Sequence, residues 1–256
     1  MPRLKAPRLP NMLAFNGSSD FLTLPITPAV TGFNLAFWMT RRNITTNARV
    51  FDSQDSGPED GFTAVELAGK QTQFVTRNAA ATTGAITSVR NTNATLDHYA
   101  YTHDGTTSKL YENGVLIGTD GSSVMSATSQ TALYIARRTS AATNFWNGLL
   151  GEVVLHNTAT PWTQAQVTDL YASGTIPSGA SYWLFNGNVL DGSGNGNNGT
   201  LTGGTYVYQD ATRVIPRFMG GSTLFNGTSS KIDCGATDII GTGNVTTSAW
   251  IKLSGW

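Results

Sequence analysis

Apolar and polar residues alternate with a period of two along much of this chain, in short runs separated by clusters of Gly, Asn, Asp and Ser. The clearest runs are "NLAFWMT" (Asn34–Thr40), "FTAVELA" (Phe62–Ala68), "HYAYTH" (His98–His103), "KLYENGVLIG" (Lys109–Gly118), "ALYIARR" (Ala132–Arg138) and "GLLGEVVLHN" (Gly148–Asn157). Successive side chains of a strand point to opposite faces, so each run predicts a half-buried strand. Many short strands at this spacing predict an all-β fold, an antiparallel sandwich or barrel. One stretch breaks the rule. In "TPWTQAQVTDLYASG" (Thr160–Gly174), Val167, Leu170 and Tyr171 recur at helical spacing. Thr163 and Gln166 fit a capping box, and Gly174 stands where a left-handed C-cap belongs. This predicts one short helix lying against the β domain.

The chain also repeats itself. "LAFNGSSDFLTL" (Leu13–Leu24) returns as "TLFNGTSSKIDC" (Thr223–Cys234), and "FNLAFWMT" as "VTTSAWIKL", setting Trp38 against Trp250. The repeat predicts three segments: a basic, proline-rich extended arm at 1–10, a complete sandwich at 11–177, and the N-terminal part of a second copy at 178–256. The second copy opens with "SYWLFNGNVLDGSGNGNNGTLTGG" (Ser181–Gly204) before its Phe-Asn-Gly triplet, whereas the first has only the arm there. The first copy is thus expected to lack its entry strand, or to receive it from elsewhere, because a bare sheet edge must be covered. The second copy needs further strands, from a longer natural chain or from another chain.

Composition narrows the function. Charged residues make up only 12% of the 256, and the formal net charge is zero. Nothing in that balance attracts nucleic acid or an anionic membrane, and no apolar run is long enough to cross a bilayer. The N-terminus lacks the apolar core of a secretory signal, so export by another route, or a non-native start, is expected. The single cysteine, Cys234, forms no internal disulfide.

The richest stretch chemically is "HYAYTHDGTTSKLYENGVLIGTDGSS" (His98–Ser123). His98 and His103 are five apart, so on a regular strand they face opposite sides and cannot share a metal or substrate. Asn113-Gly114 predicts a type I′ hairpin, with Asp104-Gly105 and Asp120-Gly121 as the flanking turns. The histidines, His156 included, are expected to be structural. Glu66, Glu112 and Glu152 stand alone, without the paired carboxylates that glycoside hydrolysis needs. "FDSQDSGPED" holds an acidic cluster of Asp52, Asp55, Glu59 and Asp60 that could suit Ca²⁺, or simply be a solvated loop. "GSGNGNNG" (Gly192–Gly199) lacks the lysine and helix of a phosphate loop and reads as a turn. Trp146, Trp162 and Trp183 are core candidates that could alternatively line a sugar site.

Asp104-Gly105, Tyr111, Asn113-Gly114, Gly148, Glu152, Leu170-Tyr171 and Gly174 follow one pattern: a turn Asp-Gly, "lYvNGvl", a Gly-x-hydrophobic-x-Glu strand, and a closing helix ending "LYxxG". In this the chain resembles the laminin-G-like, concanavalin-A-like jelly-roll domains. The entry pattern Leu184–Leu201 followed by Phe225–Gly227 resembles the first strands of such a domain. The resemblance implies a jelly roll with one closing helix, and a non-catalytic binding or structural module. No cofactor, catalytic residue or ligand-binding residue is assigned. The expected setting is a phage virion, as a capsid-decoration or tail protein. There the arm and open edge dock on neighbouring subunits and the loops meet host glycan. The alternative is a secreted bacterial adhesin or a carbohydrate-binding module of a larger protein.

Overall fold

The computed structural model describes residues 10–43, 47–55, 60–68, 71–78, 83–88 and 95–207. The arm at 1–9, the Phe225-Asn226-Gly227 repeat, Cys234 and Trp250 lie outside them. The chain divides into a unit Met1–Thr212 and a smaller unit Arg213–Trp256. All the described residues belong to the first unit.

Its strands are β1 (Met12–Asn16), β2 (Phe21–Leu24), β3 (Phe33–Asn43), β4 (Arg49–Asp52), β5 (Gly61–Glu66), β6 (Thr72–Arg77), β7 (Thr83–Thr87), β8 (Asp97–His103), β9 (Ser108–Glu112), β10 (Val115–Asp120), β11 (Leu133–Ile135) and β12 (Asn147–His156). Helix α1 (Gln164–Ser173) comes next, then β13 (Ser181–Trp183), β14 (Thr200–Thr202) and β15 (Thr205–Val207). Two antiparallel sheets form a sandwich. One runs β10-β9-β8-β3-β12-β1-β15, with β13 also pairing β12; the other runs β14-β2-β11-β4-β5-β6-β7. This is the antiparallel sandwich that the alternation predicts, with the one helix that the capping pattern predicts, and it agrees with the jelly roll that the resemblance implies.

The period of two sets the core. Phe33, Leu35, Phe37 and Met39 of β3 and Tyr99 and Tyr101 of β8 point inward and are almost wholly buried. They meet Phe51, Phe62 and Phe74 of the facing sheet, with Phe37–Phe51 centroids 4.6 Å apart and Phe33–Phe62 5.1 Å. Each such ring contributes roughly 1.5–3 kcal/mol by leaving water.

The outer face of the β3 sheet is closed by α1. Ala36 and Ala100 are directly opposite each other on β3 and β8, and their small side chains leave room for Val167 and Leu170. Thr163 accepts from the Gln166 amide while the Gln166 side chain accepts from the Thr163 amide, completing the capping box. Gly174 ends the helix at φ 68°, donating to the Leu170 carbonyl.

The strands β13, β14 and β15 lie in the stretch that the sequence repeat points to as the opening of a second copy, yet here they belong to the sheets of the first. β15 covers the free edge of β1, pairing Met12 with Val207. β14 covers β2, pairing Thr200 with Thr23. β13 joins β12, and Trp183 and Phe185 enter the core with almost no exposure. The missing entry strand of the first sandwich is therefore supplied from its C-terminal side.

Candidate functional site

The groups that carry chemistry in the sequence do not converge. Tyr99, Tyr101 and His103 face into the sandwich, while His98 and Ala100 face α1. The two histidines are thus on opposite faces, as their odd spacing requires. His98 is 2% exposed and lies beside Trp38 and Tyr171, at centroid distances of 5.0 and 5.7 Å. Burial pulls its pKa down to about 3, so it stays neutral. His103 touches the Phe33 ring and sits 3.2 Å from Ser108 Oγ. That serine opens a buried chain of hydroxyls, Tyr101–Ser108–Ser123–Thr76, with successive contacts of 2.6 Å. The chain crosses from one sheet to the other and satisfies the polar groups there. His156 is half-buried at the far end of β12, and burial lowers its pKa too.

The glutamates are equally sealed. Glu66 is fully buried and holds Arg41 Nε at 2.8 and 2.9 Å; it also accepts from Trp146 Nε1 at 3.2 Å. Thr72 Oγ1 accepts from the same guanidinium. Glu112 accepts from the Tyr99 hydroxyl at 3.0 Å. Glu152 sits at φ 41° in a bulge of β12 opposite β3, a left-handed backbone that non-glycine residues seldom adopt.

The acidic segment pins loops. Asp52 is buried and accepts the Thr139 amide at 2.7 Å; burial raises its pKa above the ordinary carboxylate value. Burial acts the same way on Asp55. Donors from Ser129, Thr128 and Gln130 outweigh it, so its pKa falls. Asp60 is buried, and Glu59 lies outside the described residues. Among the described residues no group of three or more His, Cys, Asp or Glu is placed to hold a metal ion.

Other motifs resolve into turns. Asn16 Oδ1 accepts the amides of Ser18, Ser19 and Asp20, so the Phe-Asn-Gly signature is the β1–β2 turn. Asn113 and Gly114 adopt φ 52° and 81°, the mirror-image turn expected of the β9–β10 hairpin. In the Gly192–Gly199 loop, Asp191 gathers the amides of Tyr182, Ser193 and Asn197. Trp146, Trp162 and Trp183 are all core, at 4% exposure or less.

What faces solvent is a corner of the β14-β2-β11 sheet that the sequence patterning did not single out. Leu22 and Leu24 of β2, and Leu133 and Ile135 of β11, point inward with no exposure. Phe21, Thr23 and Tyr134 must therefore point outward. Both rings are half-buried, 6.4 Å apart. The Arg137 guanidinium lies over both, 4.5 Å from the Phe21 centroid and 4.4 Å from the Tyr134 centroid. Those distances put it in the notch between the rings at about a right angle. On β14, Thr202 is opposite Phe21 and Thr200 opposite Thr23, both exposed. Alternation in "FLTL" and "ALYIARR" gives the outward direction of Phe21 and Tyr134. That the two strands are neighbours, and that β14 comes from residues 200–202, depends on long-range pairing.

Comparison with known proteins agrees with this fold. The structure resembles a putative carbohydrate binding protein from Bacteroides ovatus (TM-score 0.60, 16% identity, covering 79% of this chain and 61% of that one). It also resembles a heptameric SAP-like pentraxin from Limulus polyphemus (0.54, 12%, 75% and 94%). A third likeness is to the binding domain of botulinum neurotoxin serotype D (0.51, 10%, 70% and 44%). At such identities the likeness is one of fold. The chain spans about three-fifths of the length of the Bacteroides protein. No curated protein matches it. The sandwich, its closing helix and a family model matching residues 16–167, more than half of the chain, together place this protein in the Concanavalin A-like lectin/glucanases superfamily.

Proposed function

We propose that this chain is a non-catalytic module that binds glycan and displays that activity on a surface, most specifically the surface of a phage virion. The observation that carries the binding part is the solvent-facing corner of Phe21, Tyr134 and Arg137, flanked by threonine hydroxyls. Aromatic faces beside hydrogen-bonding side chains are what a sugar ring needs, with apolar C–H faces to stack and hydroxyls to bond. The non-catalytic part rests on where the acids lie. Glu66 and Glu112 are buried and already bonded within the protein, so neither is free to protonate a glycosidic oxygen. The virion setting is supported by the sequence: the stretch Leu13–Leu24 recurs at Thr223–Cys234, and the chain has a single cysteine.

The test is a glycan array probed with the full chain, beside Phe21→Ala and Tyr134→Ala. Binding that either substitution weakens at least tenfold supports the reading. Binding to no glycan, or binding indifferent to both substitutions, overturns this site. The chain found by mass spectrometry in purified particles supports the virion setting. Recovery only as free secreted protein would favour a bacterial adhesin or carbohydrate-binding module, the reading that the likeness to the Bacteroides ovatus protein suggests.

A further inference from the structure

We infer that the corner at Phe21, Tyr134 and Arg137 selects an acidic sugar, a ring bearing a carboxylate, with Arg137 as the anion anchor. The inference rests on the glycan-binding reading and goes one step further, to the class of glycan. The guanidinium carbon lies over both rings, which hold the cation in the notch between them. Among the described residues Arg137 makes no hydrogen bond or ion pair, and its Nε is buried without an acceptor. A carboxylate arriving from solvent would meet the two terminal nitrogens, which unlike Nε are not buried, and take two parallel bonds from them.

Nearby charges are already committed. Asp20 carboxylate oxygens accept from the Asn16 amide and the Ser19 hydroxyl within the β1–β2 turn. Asp52, whose strand partner is Tyr134, is buried; its Oδ2 accepts the Thr139 amide while its Oδ1 has no hydrogen-bond partner, and burial raises its pKa, which favours the neutral form. Arg49 reaches towards Thr63 on the neighbouring strand, adding positive charge to the same sheet. A sugar anchored on Arg137 lies beside the two rings, and Thr23, Thr200 and Thr202 border it with hydroxyls.

The probes are a hexamer of galacturonic acid, the matching neutral galactose hexamer and a sulfated galactose hexamer, titrated into the full chain by calorimetry. The expected result is preference for the galacturonate hexamer, weakening with added salt. Arg137→Gln should cost at least tenfold on that ligand, and Arg137→Lys should fall between, since an ammonium keeps the charge but not the planar fork. Circular dichroism of each variant separates lost binding from lost folding. If Arg137→Gln unfolds the protein, Arg137→Lys alone decides, and unchanged galacturonate affinity overturns the inference. Preference for the neutral hexamer overturns the acidic-sugar inference and leaves glycan binding standing. Preference for the sulfated hexamer likewise overturns the carboxylate assignment. Binding of none of the three, together with a blank array, overturns both.

Discussion

Replacing Arg41 by methionine should cost about 3–5 kcal/mol of stability, because it strands a buried carboxylate. Arg41 is 3% exposed and Glu66 not at all. They join β3 of one sheet to β5 of the other through contacts of 2.8 and 2.9 Å. With the guanidinium gone, Glu66 keeps the Trp146 indole donor at 3.2 Å but loses its cation. An unpaired buried charge carries a penalty of about that size, whereas replacing both members by apolar side chains is often neutral or favourable. So Arg41→Met should lower the melting temperature by about 6–20 °C at about 2–4 °C per kcal/mol. Arg41→Met with Glu66→Met should regain most of it. Guanidinium titration followed by tryptophan fluorescence measures all three, with an unchanged slope confirming two-state behaviour. The pH dependence gives a second readout. Burial already pushes the Glu66 pKa up, with Arg41 opposing; without Arg41 it rises further. The folded variant then binds a proton that the unfolded chain does not, so its stability relative to the parent increases as pH falls. A single variant losing less than about 1 kcal/mol, or a double variant as unstable as the single, would rule out a stranded charge as the cause.

His98 predicts an acid limit. Its folded pKa of about 3 lies below the ordinary histidine value of 6.5, so its contribution is present above pH 6.5 and is lost as pH falls towards 3. The loss is at most about 1.4 kcal/mol per pH unit, and His98→Gln should flatten that slope in unfolding titrations at about pH 7, 5.5 and 4.5. Gly148→Ala should destabilise by about 1–3 kcal/mol, because its Cβ would fall 2.3 Å from Trp146 and 2.6 Å from the Thr40 carbonyl; thermal melts check this. A chain ending at residue 177 should fail to give a cooperative melt, whereas one ending at 207 should melt cooperatively, since only the longer chain keeps Trp183, Phe185 and the covers of β1 and β2. Equal melts for the two would remove β13–β15 from any part in closing this sandwich.

Local rules read well here. Alternation found the long strands, the capping pair found α1, Asn113-Gly114 found its hairpin, and odd spacing separated His98 from His103. Each depends on a few neighbouring residues whose chemistry fixes their own conformation. The candidate site is less legible. Phe21 and Tyr134 look like ordinary strand residues, and only the pairing of β11 with β2 brings Arg137 between them. Glu66 likewise stands alone in the sequence, and its partner Arg41 comes from the opposite sheet.

The segment after α1 shows why a repeat does not by itself fix a domain boundary. Similarity between Leu13–Leu24 and Thr223–Cys234 says that the two stretches share a structural habit. It does not say which sheet takes up the residues between them. That is decided by which edges are open and within reach. β1 and β2 each offer a row of unpaired backbone groups, and covering them gains hydrogen bonds together with burial of Trp183 and Phe185. The chain entropy of closing a long loop grows only slowly, at about 0.6 kcal/mol per doubling of length. An entry strand arriving from the C-terminal side therefore costs little more than one arriving from the N-terminal side. The corner formed by Phe21, Tyr134 and Arg137 is bordered by Thr200 and Thr202 of that late-arriving strand. If β14 were displaced from β2, the ring notch would survive but its threonine border would not. Ligand affinity and closure of the sandwich should therefore fall together when Thr200–Thr202 pairing is broken, for instance by a proline at Leu201.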